Sequence, residues 1–248
     1  MAVGGDGSVY VADTGNNRVR KISPGGTITT IAGNGKSGWT RSGLQATRAP
    51  VAGPRAIAFG PDGRLYAVTG GSGEVLRLER NVTLTRIAGI RGPAGVEGLG
   101  RPAGEASIDG ADGLAFDAAG NLYLSGFNTK TLLMIGSDGI MRAPLGTKRG
   151  FYPRASGGLV TAPDGRVLAI ETQDIVELSP HGETTVYTFR RRTVGGITGF
   201  LPAGVAAAKG RVYTDTGFGN GWSTGSAILA LDLPRDRVTV LWSRRRRP

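Results

Sequence analysis

The chain contains no cysteine and a single histidine, His181, in 248 residues. The first absence excludes disulfide staples and thiolate chemistry, while leaving the redox compartment open. The second excludes any metal centre built on several histidines. No stretch approaches the roughly 20 consecutive apolar residues that span a bilayer, and no secretory signal opens the chain. A soluble protein is expected, cytoplasmic or extracytoplasmic. Aromatic residues number only 16, and lysines 5 against 25 arginines. The net charge is +11, with Arg190–Arg192 and Arg244–Arg247 supplying seven of the positive charges. Such a balance can attract polyanions, but an arginine-rich composition with a solvated tail is the more economical account of it.

What is abundant is glycine, 43 residues, without a collagen-like triplet. It falls in a repeat anchored on Gly7, Gly63, Gly120, Gly165 and Gly210, spaced by 56, 57, 45 and 45 residues. After each anchor come an alternating strand (SVYVADT, RLYAVTG, NLYLSGF, RVLAIET, RVYTDTG), a polar loop and a second strand. A period of this size indicates a solenoid or a propeller. Each unit reads as four short strands, a to d. In the second unit they are expected at Ala56–Gly60, Arg64–Thr69, Glu74–Leu78 and Leu84–Ala88. Four antiparallel strands with two partly apolar faces cannot stand alone, and pack radially as the blades of an all-β propeller. Met1–Val3 matches the middle of strand a, so a lost blade or targeting segment is an open expectation. The domain expected is one propeller over residues 1–243, with blades near 1–33, 55–89, 112–146, 157–190 and 203–243, then a basic tail at 244–248.

Residues 8–33, SVYVADTGNNRVRKISPGGTITTIAG, resemble an NHL repeat, whose hallmark is Y-[VI]-A-D-[ST]-x-N-x-R-[VI]. LYAV and IAG in the second unit and GLAFDAAGNLYLS in the third extend the likeness, which fades towards the C-terminus. The resemblance implies a propeller, generally of six blades, of which five are countable here. It also implies a bacterial sensor or interaction module, in some relatives joined to a kinase domain.

Long connections are expected on one face. The d–a segments near 33–55 and 89–112 exceed 20 residues, and the b–c loops include Phe127–Thr129 and Gly217–Ser226, whereas the opposite face carries tight turns. Long loops on a rigid scaffold tend to carry function. His181 falls on the short-turn side, which excludes a Ser-His-Asp triad on the long-loop face. Propeller lyases resembling this family are expected to use histidines, so that activity is disfavoured. The expected ligand-binding residues at the channel mouth are Arg55, Asp112, Asn128, Glu171, Asp215 and Trp222. Asp13 and Arg18, part of the hallmark, are expected to tie strands together. No catalytic residue is assigned and no cofactor is expected, except that Glu171 and Asp215 could offer calcium an oxygen-rich channel site. Lys148, Arg149 and Arg154 form the candidate polyanion cluster. The primary reading is a non-catalytic module for a protein, peptide or small polar ligand. A carboxylate- or metal-dependent propeller hydrolase of the regucalcin or strictosidine-synthase type, and RNA or polyanion binding, are the alternatives.

Overall fold

The structure, a computed structural model, describes residues 1–91, 96–108, 110–126, 132–143, 158–162, 164–171, 174–188, 193–194, 197–198, 201–208, 211–219, 224–232 and 237–245. Five four-stranded antiparallel sheets follow one another along the chain, each a meander in which sequence neighbours pair. Blade I comprises β1 (Ala2–Val3), β2 (Val9–Asp13), β3 (Arg18–Ile22) and β4 (Ile28–Ala32). Blade II comprises β5 (Pro54–Phe59), β6 (Leu65–Thr69), β7 (Glu74–Leu78) and β8 (Leu84–Ala88), within two residues of the expectation. A short pair, β9 (Val96–Glu97) and β10 (Ser107–Ile108), precedes blade III, which is β11 (Gly113–Phe116), β12 (Leu122–Ser125), β13 (Leu133–Ile135) and β14 (Met141–Arg142). Blade IV is β15 (Leu159–Thr161), β16 (Val167–Glu171), β17 (Asp174–Ser179) and β18 (Gly182–Thr188). After the pair β19 (Thr193–Val194) and β20 (Ile197–Thr198) comes blade V, with β21 (Leu201–Ala208), β22 (Arg211–Gly219), β23 (Thr224–Asp232) and β24 (Arg237–Arg245). The chain is an all-β propeller, and β24 runs two residues into the expected basic tail.

The a–b turns are tight because their anchor glycines take left-handed backbone, with φ of 77°, 71°, 85° and 85° at Gly7, Gly63, Gly120 and Gly165. There an L side chain would clash with its own backbone. Gly210 lies outside the described residues. Beyond each turn, alternate residues of the second strand serve opposite faces. In blade II, Leu65 and Ala67 lie against blade I, while Tyr66 and Val68 lie against blade III. In blade III, Leu122 and Leu124 face backward and Tyr123 forward, against Val167 and Ala169 of blade IV. Tyrosine at the second position of strand b reaches the last residue of strand a in the next blade. Tyr10 meets Phe59 at 5.1 Å and Tyr66 meets Phe116 at 4.7 Å between ring centroids, both edge to face. Such pairs add about 0.5–1.5 kcal/mol beyond the area they bury. At the next interface Thr161 takes the phenylalanine position. Its hydroxyl donates to Phe116 O at 2.7 Å and accepts from Phe116 N–H at 3.2 Å.

The two long d–a segments are not open loops, which corrects the expectation. Each lies along the outer edge of the blade it enters. Gly43 and Ala46 donate to the Leu84 and Val82 carbonyls at 2.8 Å, and Leu84 N–H donates back to Leu44 O. The second segment repeats this on blade III, where Gly100 and Ala103 donate to Met141 and Gly139 and Met141 N–H donates to Arg101 O. Both segments then form a three-residue 3-10 turn, Ala46–Arg48 or Ala103–Glu105, and bury a matching set, Ala46, Ala49 and Val51 or Ala103, Ala106 and Ile108. An unpaired strand edge invites pairing with other chains, and these segments cover two of them.

Between blades I and II lies a small apolar cavity lined by Val19, Ala32, Val51, Leu65, Ala67, Leu76, Leu78 and Leu84. With no polar lining it stays dry. Leu76→Ala, which enlarges this void, should cost about 2–5 kcal/mol in chemical denaturation. Ala67→Val, which partly fills it within a strand, should be neutral or mildly stabilising; a loss comparable to that of Leu76→Ala would contradict the void.

Candidate functional site

Strand a of each blade is innermost, since β5 packs on β2 and β11, and β15 on β11 and β21. Residues at the entry to strand a therefore border the channel. In blade II, Pro54 pairs with Thr69 and Ala56 with Val68, which leaves Arg55 as the extra residue of a β-bulge. A bulge re-aims the side chain it carries. The Arg55 side chain lies over Gly70, where an added Cβ would come within 2.0 Å of Nε. Its Nη1 reaches Asp112 Oδ1 at 3.0 Å. Asp112 occupies the same place in blade III and is held by its own N–H, which donates to Ser125 O at 2.7 Å. The Asp112 side chain is 13% exposed and that of Arg55 46%. The structure thus brings two expected mouth residues from adjacent blades into an ion pair, with the guanidinium on the open side.

The other expected residues fare differently. Glu171 ends β16 opposite Asp174, at the same end of its blade as Arg55. Asp215 pairs with Gly204 and Ile228 inside β22, four residues before its end, because the expected Gly217–Ser226 loop is largely strand. Asn128, Trp222, Lys148, Arg149 and Arg154 lie outside the described residues. His181 sits exposed in the β17–β18 turn, its N–H donating to Ser179 Oγ at 3.3 Å. Among the described residues no group of three or more His, Cys, Asp or Glu side chains is arranged to hold a metal.

The hallmark residues are structural, with one change of partner. Asp13 Oδ2 accepts from Arg20 Nε at 3.0 Å rather than from Arg18, and its Oδ1 accepts from Asn16. Thr14 Oγ1 donates to Pro54 O at 2.6 Å, and Asn17 Oδ1 accepts from Gly53 N–H at 2.9 Å. These two side chains fix the chain just before Arg55, a role the sequence pattern did not reveal. Gly33 and Gly89, the glycines of the two IAG motifs, take φ of 90° and 96°. A Cβ on either would meet the carbonyl oxygen of Asn17 or Gly73 at about 2 Å.

Sequence reasoning also missed Glu74, which is fully buried. Its carboxylate accepts from Ser72 Oγ at 2.6 Å and from Thr40 N–H at 3.1 Å, pinning the first long segment. Beside it, the Arg86 guanidinium lies over the Trp39 ring at 5.5 Å. Burial pushes the Glu74 carboxyl above its ordinary value of 4.5, against the opposing Ser72 and Thr40 hydrogen bonds and the Arg86 charge. Asp6 and Asp138 are held down at about 2, chiefly by hydrogen bonds from Lys21 and Arg142.

The NHL-repeat sequence profile matches residues 1–22. No curated protein matches the sequence. Solved structures similar to the chain include a catalytically inactive virginiamycin B lyase from Staphylococcus aureus with quinupristin, at 14% identity and a TM-score of 0.55 over 96% of this chain and 67% of that one. A gluconolactonase from Xanthomonas campestris follows at 12% identity and 0.58, over 95% and 71%. The extracellular domain of a putative hybrid two-component system from B. thetaiotaomicron gives 10% and 0.52, over 96% of this chain and 26% of that one. These neighbours are β-propellers, and the likeness is one of fold.

A carboxyl raised in the folded state binds its proton more tightly there than in the unfolded chain. Its contribution to stability is therefore full below the unfolded value and is lost as pH rises through the folded one. The stability difference between the wild type and Glu74→Gln should fall as pH rises above about 4.5, the ordinary carboxyl value. Asp6 and Asp138 act oppositely, lost as pH falls towards 2, and cancel in the difference. A difference that stays flat from pH 4 to 7 in urea titrations would show that Glu74 is not held as described.

Proposed function

We infer that this chain is a binding module, and that its propeller recognises a peptide or small polar ligand carrying a carboxylate at the mouth where Arg55 and Asp112 meet. The observation that carries this reading is the Arg55 side chain, re-aimed by a bulge, laid over Gly70 and tethered through one nitrogen. Asp112 takes Nη1, which leaves Nε and Nη2 for a ligand. A planar guanidinium matches a carboxylate in two-point geometry, and holding it in place beforehand lowers the ordering cost of binding. Asp112 would add selectivity by repelling an anion placed on its own side.

A second reading is a carboxylate-dependent hydrolase with a channel calcium. Supporting it are the Xanthomonas campestris gluconolactonase, which shares the fold, and Glu171, which ends its strand on the same face. Fold likeness alone does not carry chemistry across. The virginiamycin B lyase neighbour supports no lyase reading here. The only histidine of this chain stands in a turn at the far end of its blade from the mouth. Polyanion binding would fall to Lys148, Arg149 and Arg154.

Triglutamate titrated into the chain by calorimetry should bind, and Arg55→Gln should weaken that binding about tenfold or more, the worth of one charge-assisted hydrogen bond. The exchange Arg55→Asp with Asp112→Arg should restore stability but not binding. Undiminished binding in Arg55→Gln would sink the reading. A rise in Tm with calcium, reversed by chelator, would favour the hydrolase. Retention on heparin that collapses between low and moderate salt would favour the polyanion.

A further inference from the structure

The position that opens strand c carries a different side chain in each of the first three blades. The register sets Arg18 opposite Asp13, Glu74 opposite Thr69, and Leu132 just beyond the Leu124–Leu133 pair. Glu74 and Leu132 are fully buried, and the Glu74 carboxylate is met by Ser72 and Thr40. Arg18 is half-buried, and its guanidinium meets no acceptor among the described residues. Asp13 does not supply one, since its two carboxylate oxygens are directed to Asn16 and Arg20. The guanidinium lies instead against Gly35, where an added Cβ would come within 2.8 Å of Nη2, 3.1 Å of Cζ and 3.3 Å of Nη1. Gly35 takes a left-handed φ of 87°, and its carbonyl accepts from Asn17 Nδ2 at 3.3 Å. The arginine is thus braced against a fixed backbone with its donors unspent.

The surroundings favour an anion. From Thr14 to Pro61 the chain has no acidic residue and seven basic ones. Arg20, Lys21 and Arg55 are paired with Asp13, Asp6 and Asp112, which leaves Arg18, Lys36, Arg41 and Arg48 without an ion pair among the described residues. Lys36 and Ser37 follow Gly35 and are exposed. The N–H groups of Gly33, Asn34 and Lys36 are bonded to Ala46, Ala49 and Asn34, whereas those of Gly35, Ser37 and Gly38 donate to no protein acceptor among the described residues. We propose that Arg18 and the loop Gly35–Gly38 form a binding site for a phosphate group, free or borne by a small molecule as a monoester. The donors are the guanidinium, the Lys36 ammonium, the Ser37 hydroxyl and the open backbone N–H groups. A guanidinium fork takes phosphate oxygens in pairs, and backbone N–H groups of a turn add fixed partial positive charge. So many donors suit a dianion with several oxygens better than a carboxylate with two. The site is separate from the channel mouth, although Asn17 braces both: its Nδ2 holds Gly35 and its Oδ1 holds Gly53, two residues before Arg55.

The test is calorimetry on the full chain with inorganic phosphate, with phosphoserine and with acetate, at moderate salt. Phosphate or phosphoserine should bind more tightly than acetate, and the tighter of the two tells a free anion from a monoester. Arg18→Gln should weaken that binding about tenfold or more, the worth of a charge-assisted hydrogen bond. Lys36→Gln, at an exposed position where the fold is not at risk, should weaken it about threefold, as an exposed charge pair is worth. Without phosphate, Arg18→Gln should leave Tm nearly unchanged, since the guanidinium has no partner to lose. With phosphate, it should lose the rise in Tm that the wild type gains. Arg41→Gln, which removes the same charge further along the segment, should leave binding unchanged. No binding of either phosphate probe by the wild type would overturn the proposal, as would undiminished binding in Arg18→Gln or in Lys36→Gln. So would acetate bound as tightly as phosphate, or a loss in Arg41→Gln equal to that in Arg18→Gln, since both mark diffuse attraction of anions to a basic surface.

Discussion

The structure depends on one packing requirement: a four-stranded blade carries apolar side chains on both faces and buries them by stacking on its neighbours. A single sheet of this size cannot bury enough surface to offset the entropy of ordering its backbone. The solution here is face-to-face stacking, in which alternate residues of each b strand serve the blade before and the blade after. Leu65 and Ala67 face one way, Tyr66 and Val68 the other, and all four are buried. The turn glycines, the edge-to-face tyrosine–phenylalanine pairs and the close approach at Gly89 all follow from bringing sheets into this register. A side chain at Gly89 would strike the Gly73 carbonyl and push apart the end of strand d and the start of strand c.

Stacking satisfies the faces but not the rims. The outer strand of a blade has one edge with no strand beside it, and in blades II and III the chain lays its two long segments along that edge. This is the part of the fold that the sequence hid. A segment such as SGLQATRAPVAG has neither the alternation of a strand nor the 3.6-residue period of a helix, so it reads as a loop. Its order comes from partners distant in sequence: Leu84 for Gly43, Glu74 for Thr40, Asn17 for Gly53. What was legible was what local chemistry sets, namely the four strands of blade II, the turns and the equivalence of Arg55 and Asp112 at the channel mouth. Blade V was read less well, because the glycines and threonines around Gly217 and Ser226 pattern as a loop but pair as a hairpin extension.

The channel mouth shows the same division. Arg55 and Asp112 were visible as channel-mouth positions of successive repeats that carry opposite charges. That they would pair was not visible, since it depends on a bulge at Arg55 and on Gly70 leaving room for the arginine stem. Asp13 and Arg18 failed for a related reason. They face each other in the β2–β3 register, but the Asp13 carboxylate turns to Arg20, one strand repeat further along the same face. Backbone register predicts which residues share a face, and side-chain reach then decides which of them bond.

Stacking constrains the positions it buries more tightly than those it leaves free. Among the described residues, the positions buried between blades are largely apolar or aromatic, as at Leu65, Tyr66, Ala67 and Val68, because a charge there would be buried without a partner at a cost of several kcal/mol. Arg20, on the outer face of blade I, is a charge of this kind whose Nε is bonded to Asp13 and whose Nη1 is bonded to Thr30 Oγ1. At the entry to strand a the constraint lifts, and the sequence changes from Arg55 to Asp112 between adjacent blades. At the inner rim, adjacent repeats carry opposite charges that meet in an ion pair. The long segments serve the outer edge. Thr14 and Asn17 in turn fix the chain just before Arg55, so the backbone that carries the arginine is tied to the preceding blade on two sides.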